Sequence, residues 1–428
     1  MSETTAPVSE PNQSQMRRVM MLVGIGYLFF IFSDHRDGIL RLAMKTILKD
    51  QLHLDPTKMA SFFAIASMAW YFKPLAGLLT DNFPLLGTRR KGYLVAASLL
   101  AGIFWIILAF TPTSYGSMLA LLVILNIGLV IGQTTLGGML VQYGQEYKAT
   151  GQMSSIRNAA ENLGVLLSAL VSGWIASNFI RPGMAIAGVL LFLLVGFFIK
   201  YHQEPKITVP NTGAAKATLL QFKKLFTSKT MWIATAFWML VRFTPGFQTP
   251  LYFHQTDHLK LSQEFIGVLT FINAGTALVG SFAYIYLCRK FPLRTLLYFG
   301  VTLSVISAFC FLGYNSQLGA ILVESASGLG TGMAFLAILD LLARSTPKGC
   351  EALGYALIFS FGNISLQMSD VWGSSWFEQF GKSFTPMVWI NSGTSALVLL
   401  AIPFLPKSLV AHTDGHHFEV GAEIYHDS

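Results

Sequence analysis

Four stretches of this chain, 92–110, 116–142, 265–288 and 383–406, run for 19 to 27 residues without a charged side chain. A helix rises about 1.5 Å per residue, so about 20 apolar residues cross the roughly 30 Å hydrocarbon core of a bilayer. Lipid offers no partners for backbone N–H and C=O groups, so runs of this kind must be α-helical. Composition agrees. Charged residues make up 12% of the 428-residue chain and hydrophobic ones 53%. A soluble globular protein carries about 25% charge, so too little polar surface remains here to face water.

Hydropathy predicts an all-α polytopic membrane protein with twelve spans at 18–47, 57–81, 92–111, 116–142, 150–178, 182–201, 229–256, 262–289, 294–314, 316–344, 350–379 and 383–406. The first exceeds a bilayer crossing and must tilt or protrude. The expected domains are a disordered tail over 1–16, a six-helix bundle over 17–201, a polar cytoplasmic linker over 202–228, a second six-helix bundle over 229–406 and a cytoplasmic tail over 407–428. The order Gly77 … Arg89-Arg90-Lys91 after span 2 is echoed by Gly280 … Arg289-Lys290 and Arg294 after span 8. The two glycines stand 203 positions apart, about half the chain, as in transporters built from repeats.

With the N-terminus inside, cytoplasmic segments hold eighteen Lys and Arg residues, Lys148, Lys206, Arg289 and Lys348 among them, and external segments hold five. That asymmetry places both termini in the cytoplasm. The net charge of +8 therefore reads as membrane orientation and not as a nucleic-acid surface. The cysteines Cys288, Cys310 and Cys350 have no motif spacing. The histidines of the tail, His412, His416, His417 and His426, lack the rigid spacing of a metal site. No Walker A motif or nucleophile arrangement is present, so the expectation is a protein without cofactor, metal or enzymatic activity.

Charge at membrane depth is costly, about 2.5 to 3.5 kcal/mol per residue at a helix centre, and persists where a partner or a wet cavity receives it. Spans 3, 6, 9 and 12 have uncharged interiors and read as outer, lipid-facing helices. The others carry polar stripes at helical spacing. These are Asp34, Asp37, Arg41 and Lys45 on span 1; Asn126 and Gln133 on span 4; Arg157 and Glu161 on span 5; Trp238 and Arg242 on span 7; Asn273 and Tyr284 on span 8; and Asn363, Gln367 and Asp370 on span 11. Span 10 adds Glu324. Two halves with outer helices at their third and sixth positions would enclose one cavity, which is the major facilitator plan. Substrate contacts are expected from Asp34, Asp37, Arg41, Asn126, Gln133, Arg157, Glu161, Trp238, Arg242, Asn273, Tyr284 and Glu324. Arg157 and Glu161, four residues apart, can equally neutralise each other. The carboxylates Asp34, Asp37 and Glu161 are the candidates for proton coupling. Arg36 points off the span 1 stripe and is expected to find a helix partner.

The segment Gly77-Leu-Leu-Thr-Asp81 … Gly87-Thr-Arg89-Arg90-Lys91 resembles the loop motif of major facilitator carriers. It differs by the extra residues 83–86 between the aspartate and the basic pair. That insertion, together with Trp70-Tyr-Phe-Lys73-Pro74, Pro245-Gly-Phe-Gln-Thr-Pro250 and Ala343-Arg-Ser-Thr-Pro347, resembles the folate–biopterin transporter family over most of 30–400. The resemblance implies a cytoplasmic latch formed by Asp81, Arg89 and Arg90. It also implies a secondary carrier of a small organic solute, folate- or pterin-like, working in the plasma membrane (the inner membrane of a bacterium) by alternating access. Carboxylates in a low-dielectric cavity add the expectation of proton coupling as a symporter, and the expected state is a monomer. An exporter of drugs or other metabolites within the same superfamily is the alternative.

Overall fold

The computed structural model describes residues 13–146, 150–204, 212–288, 290–347 and 350–411. Lys148, Lys206, Arg289, Lys348, the tail histidines and most of the expected 1–16 segment lie outside those residues.

Span 1 is not one helix. Helix α1 (Gln13–Phe32) ends at a non-helical stretch over 33–40, after which α2 (Arg41–Thr46) runs into a π-helical turn, Ile47–Gln51. The segment Asp34-His-Arg-Asp-Gly38 consists largely of residues that compete with or weaken helical bonding. Asp34 accepts from the Arg36 amide at 2.8 Å, and the Gly38 and Ile39 amides turn back to Asp34 O and Phe32 O. A Cβ on Gly38 would stand 2.4 Å from the Asp34 carbonyl oxygen. The single helical face expected for Asp34, Asp37 and Arg41 is therefore corrected, because the intervening backbone is unwound.

Span 2 comprises α3 (Pro56–Ala66), a 3₁₀ turn (Met68–Phe72) and α4 (Lys73–Asn82), bent by 42°. Then come α5 (Lys91–Phe110), α6 (Tyr115–Glu146), α7 (Thr150–Asn178) and α8 (Ile180–Tyr201). Within the polar 202–228 segment lies a further helix, α9 (Thr212–Thr227).

Span 7 repeats the design of span 1. Helix α10 (Lys229–Arg242) breaks over 243–247, where Pro245 and Gly246 stand, and resumes as α11 (Gln248–Phe253) with a π turn, His254–His258. The correspondence is regular. The starts of α2 and α11, the two π turns, the left-handed residues His53 (φ 49°) and Lys260 (φ 52°), and the N-caps Asp55 and Ser262 all stand 207 positions apart. That register differs by four residues from the one suggested by Gly77 and Gly280. The chain continues with α12 (Gln263–Leu287), α13 (Leu293–Cys310), α14 (Gln317–Ser345), α15 (Glu351–Gln379), α16 (Phe384–Val398), extended by a 3₁₀ turn to Phe404, and α17 (Lys407–Val410).

Among the described residues nine single helices are long and apolar enough to cross a membrane, and the bent pair α3–α4 makes a tenth. The other two predicted crossings are span 7, which is broken, and α15, which carries Asn363, Gln367 and Asp370. Both face the central cavity, where an apolar composition is not needed. Spans 9 and 12 correct the expectation of purely outer helices. They send Phe299, Ile306, Leu397 and Leu400 outward but turn Ser304, Ser307 and Ser395 to the cavity.

The halves meet where α3 and α4 pack on α15 and where α7 packs on α12. With the twelve predicted crossings, α1 begins and α17 ends on one side, called here the termini side. On the opposite, distal side one hydrophobic core runs from the first half into the ends of the second through Tyr252, Phe311, Tyr314 and Phe384. The termini-side core of the second half is separate. Polar contacts add to the distal closure: Lys49 with Asp257, Thr46 Oγ with Tyr252 OH at 3.2 Å, and the Thr57 amide to Glu378 at 2.8 Å.

The break in span 7 rests against Gly373, where an added Cβ would lie 1.8 Å from the Gly246 carbonyl oxygen. Overpacking of this kind costs about 1–3 kcal/mol. Gly373→Ala is therefore expected to lower the melting temperature in detergent. Gly393→Ala, which meets nothing within 4 Å, should leave it unchanged.

Candidate functional site

A cavity of about 710 Å³ lies between the halves. Its walls are unequal. The first half contributes the broken span 1 (His35, Arg36, Asp37, Arg41, Lys45) and Phe63 of α3, whereas the second half contributes every one of its six spans.

The break of span 7 places a helix C-terminus and a helix N-terminus beside this space. Arg242, the last residue of α10, lays its guanidinium 4.4 Å from the centre of the Trp238 ring. A cation at a helix C-terminus is favoured by the dipole, and a guanidinium over indole by the ring quadrupole. Its Nε has no hydrogen-bond partner among the described residues. Asp370 of α15 caps the start of α11, accepting from the Thr249 amide at 3.0 Å and the Thr249 hydroxyl at 2.6 Å. Two carbonyls freed at the break are also received. Ser369 Oγ donates to Thr244 O at 2.6 Å, and Asn391 Nδ2 donates to Pro245 O at 2.7 Å. On the wall formed by α14, Glu324 accepts from Asn273 Nδ2 and from Tyr314 OH, each at 3.0 Å.

Six of the expected site residues thus share the cavity: Asp37, Arg41, Trp238, Arg242, Asn273 and Glu324. Six stand outside its lining. Asp34 is 1% exposed, and its carboxylate is taken up by the Arg36 amide and guanidinium. Asn126 accepts from Trp70 Nε1 at 2.9 Å. Gln133 is buried, with its backbone carbonyl accepting from the Tyr27 hydroxyl and its side-chain Nε2 without a partner among the described residues. Arg157 pairs with Glu161 at 3.0 Å and lies over the Tyr27 ring. Tyr284 donates to Asp340, which Arg344 holds in a two-pronged pair at 2.8 Å. Arg36, expected to point away, lines the cavity with its guanidinium over Trp70. Gln255, Thr249, Phe63 and Tyr252 also reach the cavity. Gln255 sits in a π turn, where 3.6-residue periodicity carries no signal.

On the termini side Arg90 pairs with Asp81 at 2.7 Å and Arg89 stands 3.9 Å from the same carboxylate. Both ion pairs lie within the first half. Glu204, just past α8, accepts from the backbone amides of Arg89, Arg90 and Lys91 at 2.8–3.1 Å. It therefore caps the start of α5 from more than a hundred residues away, and no local signal in the sequence announced it. Burial works against its charge, but the His202 imidazole and the Lys91 and Arg90 amides outweigh burial and hold its pKa down at about 2.

An all-helical membrane protein with one polar cavity between its halves, of the major facilitator fold, is a secondary transporter. Residues 35–413 match the BT1 family, and the chain belongs to that family. It is 24% identical to the folate-biopterin transporter of Synechocystis over 86% of this chain and 78% of that protein. It is likewise 24% identical to folate transporter 2 of Plasmodium falciparum, over 81% of this chain and 77% of the other. Among solved structures, a POT family transporter in complex with 5-aminolevulinic acid has a TM-score of 0.72 at 14% identity, covering 91% of this chain and 96% of that one. A D-xylose-proton symporter has a TM-score of 0.68 at 17% identity, covering 94% and 100%. At such identity the likeness is one of fold.

A depressed carboxylate pKa contributes stability above the unfolded value and loses it as pH falls through the folded one. Glu204→Gln should therefore melt below wild type at neutral pH. The gap should close as pH falls from about 4.5 towards about 2, and a gap independent of pH would contradict the capping role.

Proposed function

We propose that the protein carries a folate or pterin-like solute across the plasma membrane by alternating access, driven by a proton gradient. The observation that carries this reading is the pairing of Trp238 with Arg242 in a cavity whose cations, Arg36, Arg41, Lys45 and Arg242, outnumber the carboxylates Asp37, Glu324 and Asp370. A pterin is flat and stacks on an aromatic face, and an anionic tail suits guanidinium groups. The volume falls within the range of about 300–1,000 Å³ of small-molecule sites. The names borne by the Synechocystis and Plasmodium relatives point the same way.

In this reading both termini face the cytoplasm, by the excess of Lys and Arg on their side, and the chain acts as a monomer. The halves 17–201 and 229–406 rock about the cavity. Asp81, Arg89 and Arg90 brace the cytoplasmic end of α4 against α15 and α9, which α4 touches. Lys49–Asp257 and Thr46–Tyr252 are the contacts that must part for the cavity to open outward. Of the carboxylates expected to couple protons, Asp37 reaches the cavity, while Asp34 and Glu161 are held in ion pairs.

Uptake into proteoliposomes, across a panel of pterins, folates and small organic anions with and without an imposed pH gradient, tests this reading. Saturable uptake of a pterin or folate is expected, and transport confined to unrelated anions would overturn it. A hydrogen bond to a charged group contributes about 1.5–3 kcal/mol, so Arg242→Ala should reduce uptake of an anionic folate by roughly ten- to a hundredfold more than that of a neutral pterin. Equal losses would assign Arg242 a structural part.

A further inference from the structure

The carboxylates at membrane depth differ in what already holds them. Asp34 is bound by Arg36, Glu161 by Arg157 and Asp340 by Arg344. Asp370 spends both oxygens on the start of α11. Asp37 shares its part of the cavity with Arg36, Arg41 and Arg242. Glu324, like Asp370, has neutral partners on both oxygens, but its partners are two side chains and not the start of a helix: Tyr314 OH on Oε1 and Asn273 Nδ2 on Oε2. It lines the cavity and forms no ion pair among the described residues. Its proton can therefore be gained or lost without stranding a buried countercharge, which is the costly step for a paired carboxylate.

The partners of Glu324 lead to the distal closure. Tyr314 OH accepts from Gln255 Nε2 at 2.6 Å while donating to Glu324. Gln255 belongs to the π turn His254–His258, whose Asp257 pairs with Lys49 of the other half. His254 of the same turn bonds the Tyr314 carbonyl oxygen at 2.9 Å. Asn273 stands on α12, the helix that packs against α7 across the interface. The groups bonded to Glu324 from neighbouring elements, Asn273 of α12 and Tyr314, are neutral, and the serines of α13 that line the cavity, Ser304 and Ser307, are neutral as well. Across the cavity, Arg41 on α2 acts on Glu324 electrostatically, and the other titratable groups of the lining are His35, Arg36, Asp37 and Lys45 of span 1, Arg242 on α10 and Asp370 on α15.

We infer that Glu324 is the site at which the carrier binds and releases its coupling proton, with Tyr314 and Gln255 relaying its charge state to the distal closure. This rests on the proton-driven carrier reading above. A hydronium ion in the cavity gives up one O–H bond and becomes water, its proton bonds to a carboxylate lone pair, and the charge of Glu324 passes from −1 to 0. When Oε1 takes the proton, the Tyr314 hydroxyl loses its acceptor and must turn. The hydrogen bond that ties the π turn to α14 is thereby altered in the step that loads the proton. Release reverses these changes.

The test uses the full-length protein. With voltage clamped and one proton per solute, each pH unit sustains up to about tenfold accumulation in proteoliposomes, since one unit is worth about 1.4 kcal/mol. In Glu324→Gln accumulation should fall to a ratio of one, and any exchange that persists should no longer depend on pH. Accumulation equal to wild type would overturn the assignment. A second arm needs no substrate. Infrared pH titration of the purified protein should show the carbonyl band of a protonated carboxyl in wild type and lose it in Glu324→Gln, and a band of equal size in the variant moves the proton elsewhere. If wild type carries no pterin or folate, the substrate reading fails while the infrared arm still decides the proton site. If Glu324→Gln does not fold, Tyr314→Phe decides: it should displace the midpoint of the pH titration, and an unmoved midpoint refutes the relay.

Discussion

In a bilayer every backbone group freed from a helix must find a partner inside the protein. The break in span 7 exists only because spans 11 and 12 supply those partners. Asp370 receives the start of α11, Ser369 exchanges bonds with Thr244 and Gly246, and Asn391 donates to Pro245. The break in span 1 is satisfied differently. It folds back on itself through Asp34, Arg36 and Gly38, with Trp105 Nε1 donating to Ser33 O at 2.8 Å. Two unwound turns, one closed locally and one closed by its neighbours, line the cavity from opposite halves.

This difference explains why the two halves contribute unequally to the cavity. Where polar groups of the first half pair with one another, as in Arg157–Glu161 and Trp70–Asn126, they stand outside the cavity, and that half reaches the solute through the broken span 1. The second half adds Arg242 and Glu324, which have no ion partner among the described residues. The distal closure joins the halves through a shared apolar core and a few polar contacts between the ends of spans 1 and 7. These are the segments whose π turns repeat 207 positions apart. The repeat places equivalent turns opposite each other at the point that must open.

Much of this was legible in the chain itself. Long uncharged runs mark the lipid-spanning helices because hydrocarbon tolerates little else. The polar stripe of span 7 led to Trp238 and Arg242, and that of span 8 led to Asn273. The stripe of span 1 led to Asp37 and Arg41 but treated Asp34 as their equal, because a helical wheel presumes a helix through 33–40. The Pro245–Gly246 pair is a breaker signal that hydropathy reads through, since the flanking residues stay apolar. Gln255 and Glu204 act across the fold from a π turn and from a loop, where periodicity says nothing.

The sequence by itself determined that this chain lives in lipid, is helical and carries more charge at depth than lipid tolerates. Composition and run length answer to the solvent, and the solvent's demand is the same at every position along a span. Only the tertiary structure decided which charges neutralise each other and which remain for a solute. That depends on distances of a few ångströms between helices far apart in the chain, and on two breaks whose geometry is set by the neighbours that bond them.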